Sequence, residues 1–201
     1  MYRTFFKRIF DVVFSLLGLI ILFPMFMIIA ILIKREDGGS IFFRQTRVGK
    51  NWKPFKIYKF RTMIENAEKL GAQVTGKDDK RITKIGRFLR KYKLDELPQL
   101  INVLKGDMSL VGPRPEVEKY AKVYKKDFDE ILKVKPGITD YATLEFKREE
   151  EILKSSDNIE DVYLKEILPK KLELSKKYVK DMSFLTDIKI ILKTIIGIFQ
   201  R

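Results

Sequence analysis

Two adjacent carboxylates, Asp95 and Glu96, stand just ahead of an apolar series, Leu97, Leu100, Ile101 and Leu104. That spacing predicts a helix, ended by Gly106 and with Pro98 tolerated in its first turn. Acids at a helix start ordinarily cap it, because their charge complements the positive end of the helix dipole. Their company here gives them a second reading. A basic helical stretch carrying Arg90 precedes them, Lys59 and Arg61 fall on a predicted strand, and Arg114 stands between Pro113 and Pro115. Guanidinium forks bind phosphate oxygens in pairs. Acids among such cations suit a site that handles a phosphate together with a divalent ion. The chain has no histidine and no cysteine. Ser-His and Cys-His nucleophile pairs, disulfide scaffolds and cysteine zinc sites are therefore excluded. Chemistry is left to carboxylates, Lys, Arg, Tyr, hydroxyls or a hard metal ion.

The elements that must position these residues can be read from periodicity. Residues 41–47 and 55–63 read as two strands joined by a turn at Gly49-Lys50-Asn51, a hairpin that puts Lys59 and Arg61 on one side. Residues 65–70 read as a short helix and 71–80 as a polar loop. In 83–92, Ile85, Phe88, Leu89 and Tyr92 share a helical face, with Lys84, Arg87 and Lys91 on another. That basic face is either solvated or in contact with anionic lipid head groups. Gly112-Pro113-Arg114-Pro115 and Pro136-Gly137 read as turns, with one amphipathic helix over 117–132 between them. Residues 159–168 and 170–179 read as helices separated by Pro169. In the last helix, 184–199, the stripe Leu185, Ile188, Ile191, Leu192, Ile195, Ile196 and Phe199 belongs to a core or to a membrane interface.

The 201 residues make one domain, or one small domain with an anchor. With 45% hydrophobic residues the chain can bury a core, and its net charge of +14 attracts nucleic acid, anionic lipid or phosphorylated substrates alike. Residues 12–33 are an apolar run of about 22 residues, long enough to cross a bilayer. A signal peptide would need a shorter run and a cleavage site of small residues. A straight span has two features against it. Pro24 sits inside, so a kink is expected, and the arms on either side measure roughly 18 Å and 13 Å. Both flanks are basic, Arg3, Lys7 and Arg8 before and Lys34 and Arg35 after, and short basic flanks prefer the cytoplasm. The expectation is a helix that enters, bends at Pro24 and returns, with Asp11 at the interface.

Lys59-Phe60-Arg61-Thr62-Met63, Leu94-Asp95-Glu96-Leu97-Pro98-Gln99-Leu100, Asn102-Val103-Leu104-Lys105-Gly106-Asp107-Met108-Ser109, Gly112-Pro113-Arg114-Pro115 and Pro136-Gly137-Ile138-Thr139 stand in the order seen in bacterial sugar transferases. Over nearly its whole length the chain resembles the small, monotopic phosphoglycosyl transferases. The resemblance implies a mixed α/β, mostly helical protein. Residues 1–36 would form a re-entrant membrane helix-break-helix. Residues 37–201 would form a cytoplasmic catalytic domain with a short hairpin and amphipathic interfacial helices. It implies transfer of a phospho-sugar from a UDP-sugar to polyprenyl (undecaprenyl) phosphate at the cytoplasmic face of the bacterial inner membrane, with release of UMP. By that resemblance Asp95 is the nucleophile, and Glu96 positions Mg2+ or activates the lipid phosphate. Asp95 and Glu96 would both contact the metal, and Lys59, Arg61, Arg90 and Arg114 would bind phosphate. Two positions depart from the family pattern. Phe23-Pro24 replaces the usual Ser-Pro at the bend, and Asp140-Tyr141-Ala142 replaces a glycine followed by an aromatic or apolar residue. The resemblance brings neither a particular sugar nor an oligomeric state. A direct glycosyltransferase, releasing UDP, is the rival enzyme. A nucleic-acid-binding module rests on charge alone and a noncatalytic membrane scaffold leaves the acid pair without a role, so no nucleic-acid partner is expected.

Overall fold

A computed structural model describes residues 2–67, 70, 79–146 and 159–199. Most of the expected loop 71–80, residues 68–69 of the expected helix 65–70, and Glu149-Glu150-Glu151 lie outside the described residues. Helix α1 spans Lys7–Asp37, 31 residues, entered through a π-turn at Tyr2–Phe6. The break expected at Pro24 does not interrupt it. An interior proline removes one ladder bond, but the turns on either side keep theirs.

What holds α1 is the rest of the protein, at both ends. Arg8 donates to the carbonyls of Val103 and Leu104 at 2.6 and 2.8 Å. Asp11 accepts from Ser109 Oγ and Leu110 N, each at 3.0 Å. At the far end Ile29 and Ile33 are buried against Phe60 and Leu89. There Glu36 accepts from Lys84 N at 2.7 Å and also from Ile85 N, and Asp37 pairs with Arg61. The opposite face is bare: Val13, Phe14, Leu17, Ile20, Ile21, Phe23, Ile28 and Ile31 are all exposed.

Strands β1 (Phe42–Val48) and β2 (Pro54–Phe60) form the expected hairpin, antiparallel from Phe42 opposite Phe60 to Val48 opposite Pro54. Helix α2 (Lys84–Lys91) starts from Thr83, whose hydroxyl accepts from Gly86 N at 2.9 Å. With Glu36 taking the two preceding N–H groups, the donors of its first turn are satisfied. Helix α3 (Gln99–Lys105) ends at Gly106 in the left-handed region, φ 88°.

Three expectations are corrected. Gly137 opens a strand instead of completing a turn: β3 (Ser109–Val111) and β4 (Gly137–Thr139) pair in parallel. Three-residue strands are too short to carry an alternating pattern. The single helix over 117–132 is two, α4 (Glu118–Val123) and α5 (Lys125–Ile131), parted at Tyr124 with φ −113° and ψ 44°. The Tyr124 hydroxyl reaches Leu164 O at 2.9 Å, while the apolar spacing continues across the break and hides it. Pro169 does not separate two helices. It sits at the start of α8 (Leu168–Asp181), where a continuous helical run changes from π to α geometry. Helix α6 (Tyr141–Glu145) is capped by Asp140, and α7 (Ile159–Val162) runs through a π-turn, Tyr163–Ile167, into α8.

Helix α9 (Phe184–Phe199) resolves the ambiguity of its stripe. Asp187 and Ile190 face inward, while Leu185, Leu192, Ile195 and Ile196 are exposed. Most of the stripe is therefore outside, like the bare face of α1.

Candidate active site

Asp95 and Glu96 do not stand in the first turn of α3, where the sequence reading placed them. They occupy a separate 3-10 turn, Leu94–Glu96, and each is 7% exposed. Pro98 lies between this turn and α3 and supplies no side-chain cap. The turn is entered through Lys93 in the left-handed region, φ 56°, a conformation costly for a residue with a side chain.

β2 and the 112–115 turn bring cations to this turn. Lys59, next to the end of β2, places Nζ 2.9 Å from Glu96 Oε1. Arg114 forks onto the same carboxylate, with Nη1 3.0 Å from Oε2 and Nη2 on Oε1. The Arg114 turn is backed by a glycine seam: a Cβ on Gly137 would lie 2.0 Å from Gly112 N. Both oxygens of Glu96 are thus engaged. Asp95 is the opposite case, since its Oδ1 is buried and has no hydrogen-bond partner among the described residues.

Charge divides the two acids further. Burial pushes the Asp95 carboxyl above its ordinary range, and the neighbouring charge of Glu96 adds to this; Lys59, Lys93 and Arg90 oppose it without prevailing. Asp95 stands four residues before Gln99, outside the first turn of α3, where the helix dipole gives its charge little support. Burial also pushes Glu96 upward, but Arg114 and Lys59 outweigh it and hold Glu96 well below the usual carboxylate value. Burial lowers Lys59, against the pull of Glu96.

All six residues singled out from sequence, Lys59, Arg61, Arg90, Asp95, Glu96 and Arg114, line one cavity of about 530 Å³. Lys59 and Arg114 touch the dyad, and Arg90 acts on Asp95 through its charge. Arg61 does not share the direction of Lys59. β2 ends at Phe60, and the Arg61 guanidinium turns to Asp37 Oδ2 at 2.6 Å and Ser40 O at 2.5 Å. Two lining residues escaped the sequence reading. Lys93 acts on both acids, and its backbone conformation leaves no sequence signature. Gln99 is 1% exposed with its Nε2 unpartnered among the described residues. Its place three residues after Glu96 was the available signal.

The donor set suits Mg2+ in one form only. Among the described residues no group of three or more acids is placed to hold a metal ion, and Glu96 already accepts three hydrogen bonds from Lys59 and Arg114. Asp95 Oδ1 accepts none among them. A single carboxylate oxygen beside a phosphate site fits an ion that takes one or two carboxylates and leaves its other positions to water and substrate phosphates. The arrangement can therefore present a desolvated carboxylate to a phosphate held by Lys59, Arg90 and Arg114.

The family described as bacterial sugar transferase matches residues 2–201. The chain is 36% identical over 195 residues to a UDP-N-acetylgalactosamine-undecaprenyl-phosphate N-acetylgalactosaminephosphotransferase of Aeromonas hydrophila, covering 96% of this chain and 43% of that one. It is 40% identical over 194 residues to the UDP-glucose:undecaprenyl-phosphate glucose-1-phosphate transferase of Escherichia coli, covering 94% and 39%. It is 37% identical over 204 residues to the exopolysaccharide production protein ExoY of Sinorhizobium fredii, covering 94% and 83%. The chain thus spans about two fifths of the first two relatives and most of the third. It belongs to the bacterial sugar transferase family.

Proposed function

We propose that the protein transfers a sugar phosphate from a UDP-sugar to a polyprenyl phosphate, through a covalent intermediate on Asp95. The observation that carries this reading is the unpartnered, buried Asp95 Oδ1 beside a Glu96 locked by Lys59 and Arg114. Asp95 attacks the β-phosphorus. An O–P bond forms to its carboxylate, the bond from that phosphorus to the bridging oxygen breaks, and the electron pair leaves on UMP. An oxygen of the lipid phosphate then attacks the same phosphorus and returns the electron pair to Asp95. No proton has to move in either step.

The cations answer the main obstacle, which is the repulsion between a carboxylate and a phosphate. Arg114 and Arg90 face the phosphate oxygens, and Glu96 fixes the Arg114 guanidinium in its fork. Burial leaves the attacking oxygen without a water shell to shed. Mg2+, when bound, would be held by the substrate phosphates and by the Asp95 oxygen that does not attack, and would neutralise charge there. Splitting transfer into two displacements lets one cationic site serve two anionic partners in turn.

The membrane side of this reading rests on α1. A domain on one side of a bilayer can hold both ends of a helix only if the helix does not cross. Arg8 and Asp11 at one end, and Glu36 and Asp37 at the other, are all bound to that domain. The bare apolar faces of α1 and α9 then lie in the lipid at the cytoplasmic face of the inner membrane, near the polyprenyl substrate.

The chemical step has a direct test. Protein mixed with a panel of UDP-sugars, lipid omitted, should release UMP up to about one equivalent and gain the mass of one phospho-sugar. Asp95→Asn should lose both, with steady-state turnover down by at least about 10³-fold. UMP that appears only with lipid, with no labelled protein, would mean that the lipid phosphate attacks directly.

A further inference from the structure

The cavity extends beyond the acid pair. Past Arg114 its wall continues through Glu116, Arg47, Tyr163 and Lys171, and none of these takes part in the phosphate chemistry. Residues 114–117 run outside any helix, and Val117 is extended at φ −71° and ψ 146°. Arg114 and Glu116 are two residues apart in this segment, and both line the cavity. Glu116 therefore adjoins the phosphate clamp of Arg114 along the cavity wall.

Glu116 is the centre of a small polar cluster. Its Oε1 accepts from Arg47 Nη1 and from Val117 N, both at 2.8 Å, and its Oε2 accepts from the Tyr163 hydroxyl. A carboxylate has about four acceptor positions, so these three bonds leave one open. Arg47 Nη2 donates to Gln45 Oε1 at 2.7 Å, while Arg47 Nε is buried with no partner among the described residues. The Lys171 ammonium lies 5.1 Å from the centre of the Tyr163 ring. The negative charge of Glu116 repels a phosphate, so the diphosphate belongs at Arg114. A carboxylate, a guanidinium and a phenol together are groups that bind neighbouring hydroxyls.

We infer that this end of the cavity is the subsite for a hydroxyl-bearing ring of the donor, selected by Glu116 and Arg47. Two rings of a nucleotide-sugar have this chemistry and adjoin the diphosphate: the transferred sugar and the ribose. The inference rests on the function proposed above and adds to it the residues that read the donor.

Glu116→Gln keeps the size and the acceptor for Tyr163 but loses the charge. With a UDP-sugar that the wild type turns over, the donor KM should rise about tenfold. kcat should stay within about twofold and the KM for polyprenyl phosphate should not move, because the phosphate machinery is untouched. Inhibition by UMP tells the two rings apart: unchanged inhibition assigns the subsite to the sugar, and weakened inhibition assigns it to the ribose. An unchanged donor KM in folded Glu116→Gln, with a lowered melting temperature, overturns the inference and makes the cluster a structural tie. If Glu116→Gln does not fold, Tyr163→Phe is read by the same criteria. Should the wild type turn over no UDP-sugar, the proposed function fails by itself. Calorimetric binding of UMP and of a UDP-sugar to wild type and Glu116→Gln then still reads the subsite, and equal affinities in the two proteins overturn it.

Discussion

Asp187, on α9, and Asp95, in the Leu94–Glu96 turn, are both carboxylates taken out of water. Asp187 is fully buried and accepts from Tyr2 and Tyr178 hydroxyls at 2.6 and 2.8 Å and from Lys7. Asp95 is nearly as buried, yet its Oδ1 accepts from nothing among the described residues. A buried charge is expensive unless it is paired and fully hydrogen-bonded. Asp187 meets that condition and works as a fastening for the start of α1. Asp95 does not meet it, and the fold keeps it so at its own expense. Number of partners, more than burial, separates the acid that holds the molecule together from the one available for reaction.

The comparison can be broken most sharply in the cell. If the fastenings at the two ends of α1 form there, both ends lie on the side of the domain. The chain has no native cysteine, so Arg3→Cys and Ser40→Cys give clean probes. Neither should be labelled by an impermeant reagent outside intact cells, and both should be labelled after lysis. External labelling of Arg3→Cys alone would mean that α1 crosses the bilayer.

Asp187→Ala comes next. It leaves Lys7 buried without its counterion, and removing one partner of a buried pair costs about 3–5 kcal/mol. Thermal unfolding should show this loss, while the protein that remains folded should still form the UMP burst. A burst lost without loss of stability would give Asp187 a chemical role and erase the distinction.

The smallest effect is the most specific. Burial raises the Asp95 carboxyl, so the folded protein binds that proton more tightly than the unfolded chain does. Stability then falls as pH rises through the carboxylate range, and Asp95→Asn removes the cost. Its melting temperature should exceed that of the wild type at neutral pH, with the gap closing below about pH 4, where both states hold the proton. Glu96 is held low by Arg114 and Lys59, so its contribution is present at neutral pH and lost as pH falls through its folded value. Glu96→Gln should therefore melt lower at neutral pH. Shifts of one sign in both variants would remove the difference between the neighbours.

Much of this was legible in the sequence where a signal spans several residues. The hairpin, α2, α3 and α9 follow period-2 or period-3.6 patterns, and the cations and acids of the cavity were recognisable as phosphate-handling types. What was hidden is set by tertiary contact. The Tyr124 break follows from a bond to Leu164, forty residues away. The parallel pair β3–β4 depends on two glycines meeting face to face. Arg61 was typed correctly as an anion binder, but its direction depends on where β2 stops and on Asp37 at the end of α1. The separate turn of Asp95 and Glu96 depends on the left-handed Lys93, which no composition announces.

The fastening at Asp187 also sets an order in time. Lys7 and Asp187 are 180 residues apart, so during synthesis one emerges long before the other exists. At about 5–20 residues per second that interval is roughly 10–40 s. Through it, Lys7 lacks the counterion that it has in the finished fold. The start of α1 is therefore fastened at Asp187 only once α9 has been made, and the length of chain between them sets how long that takes.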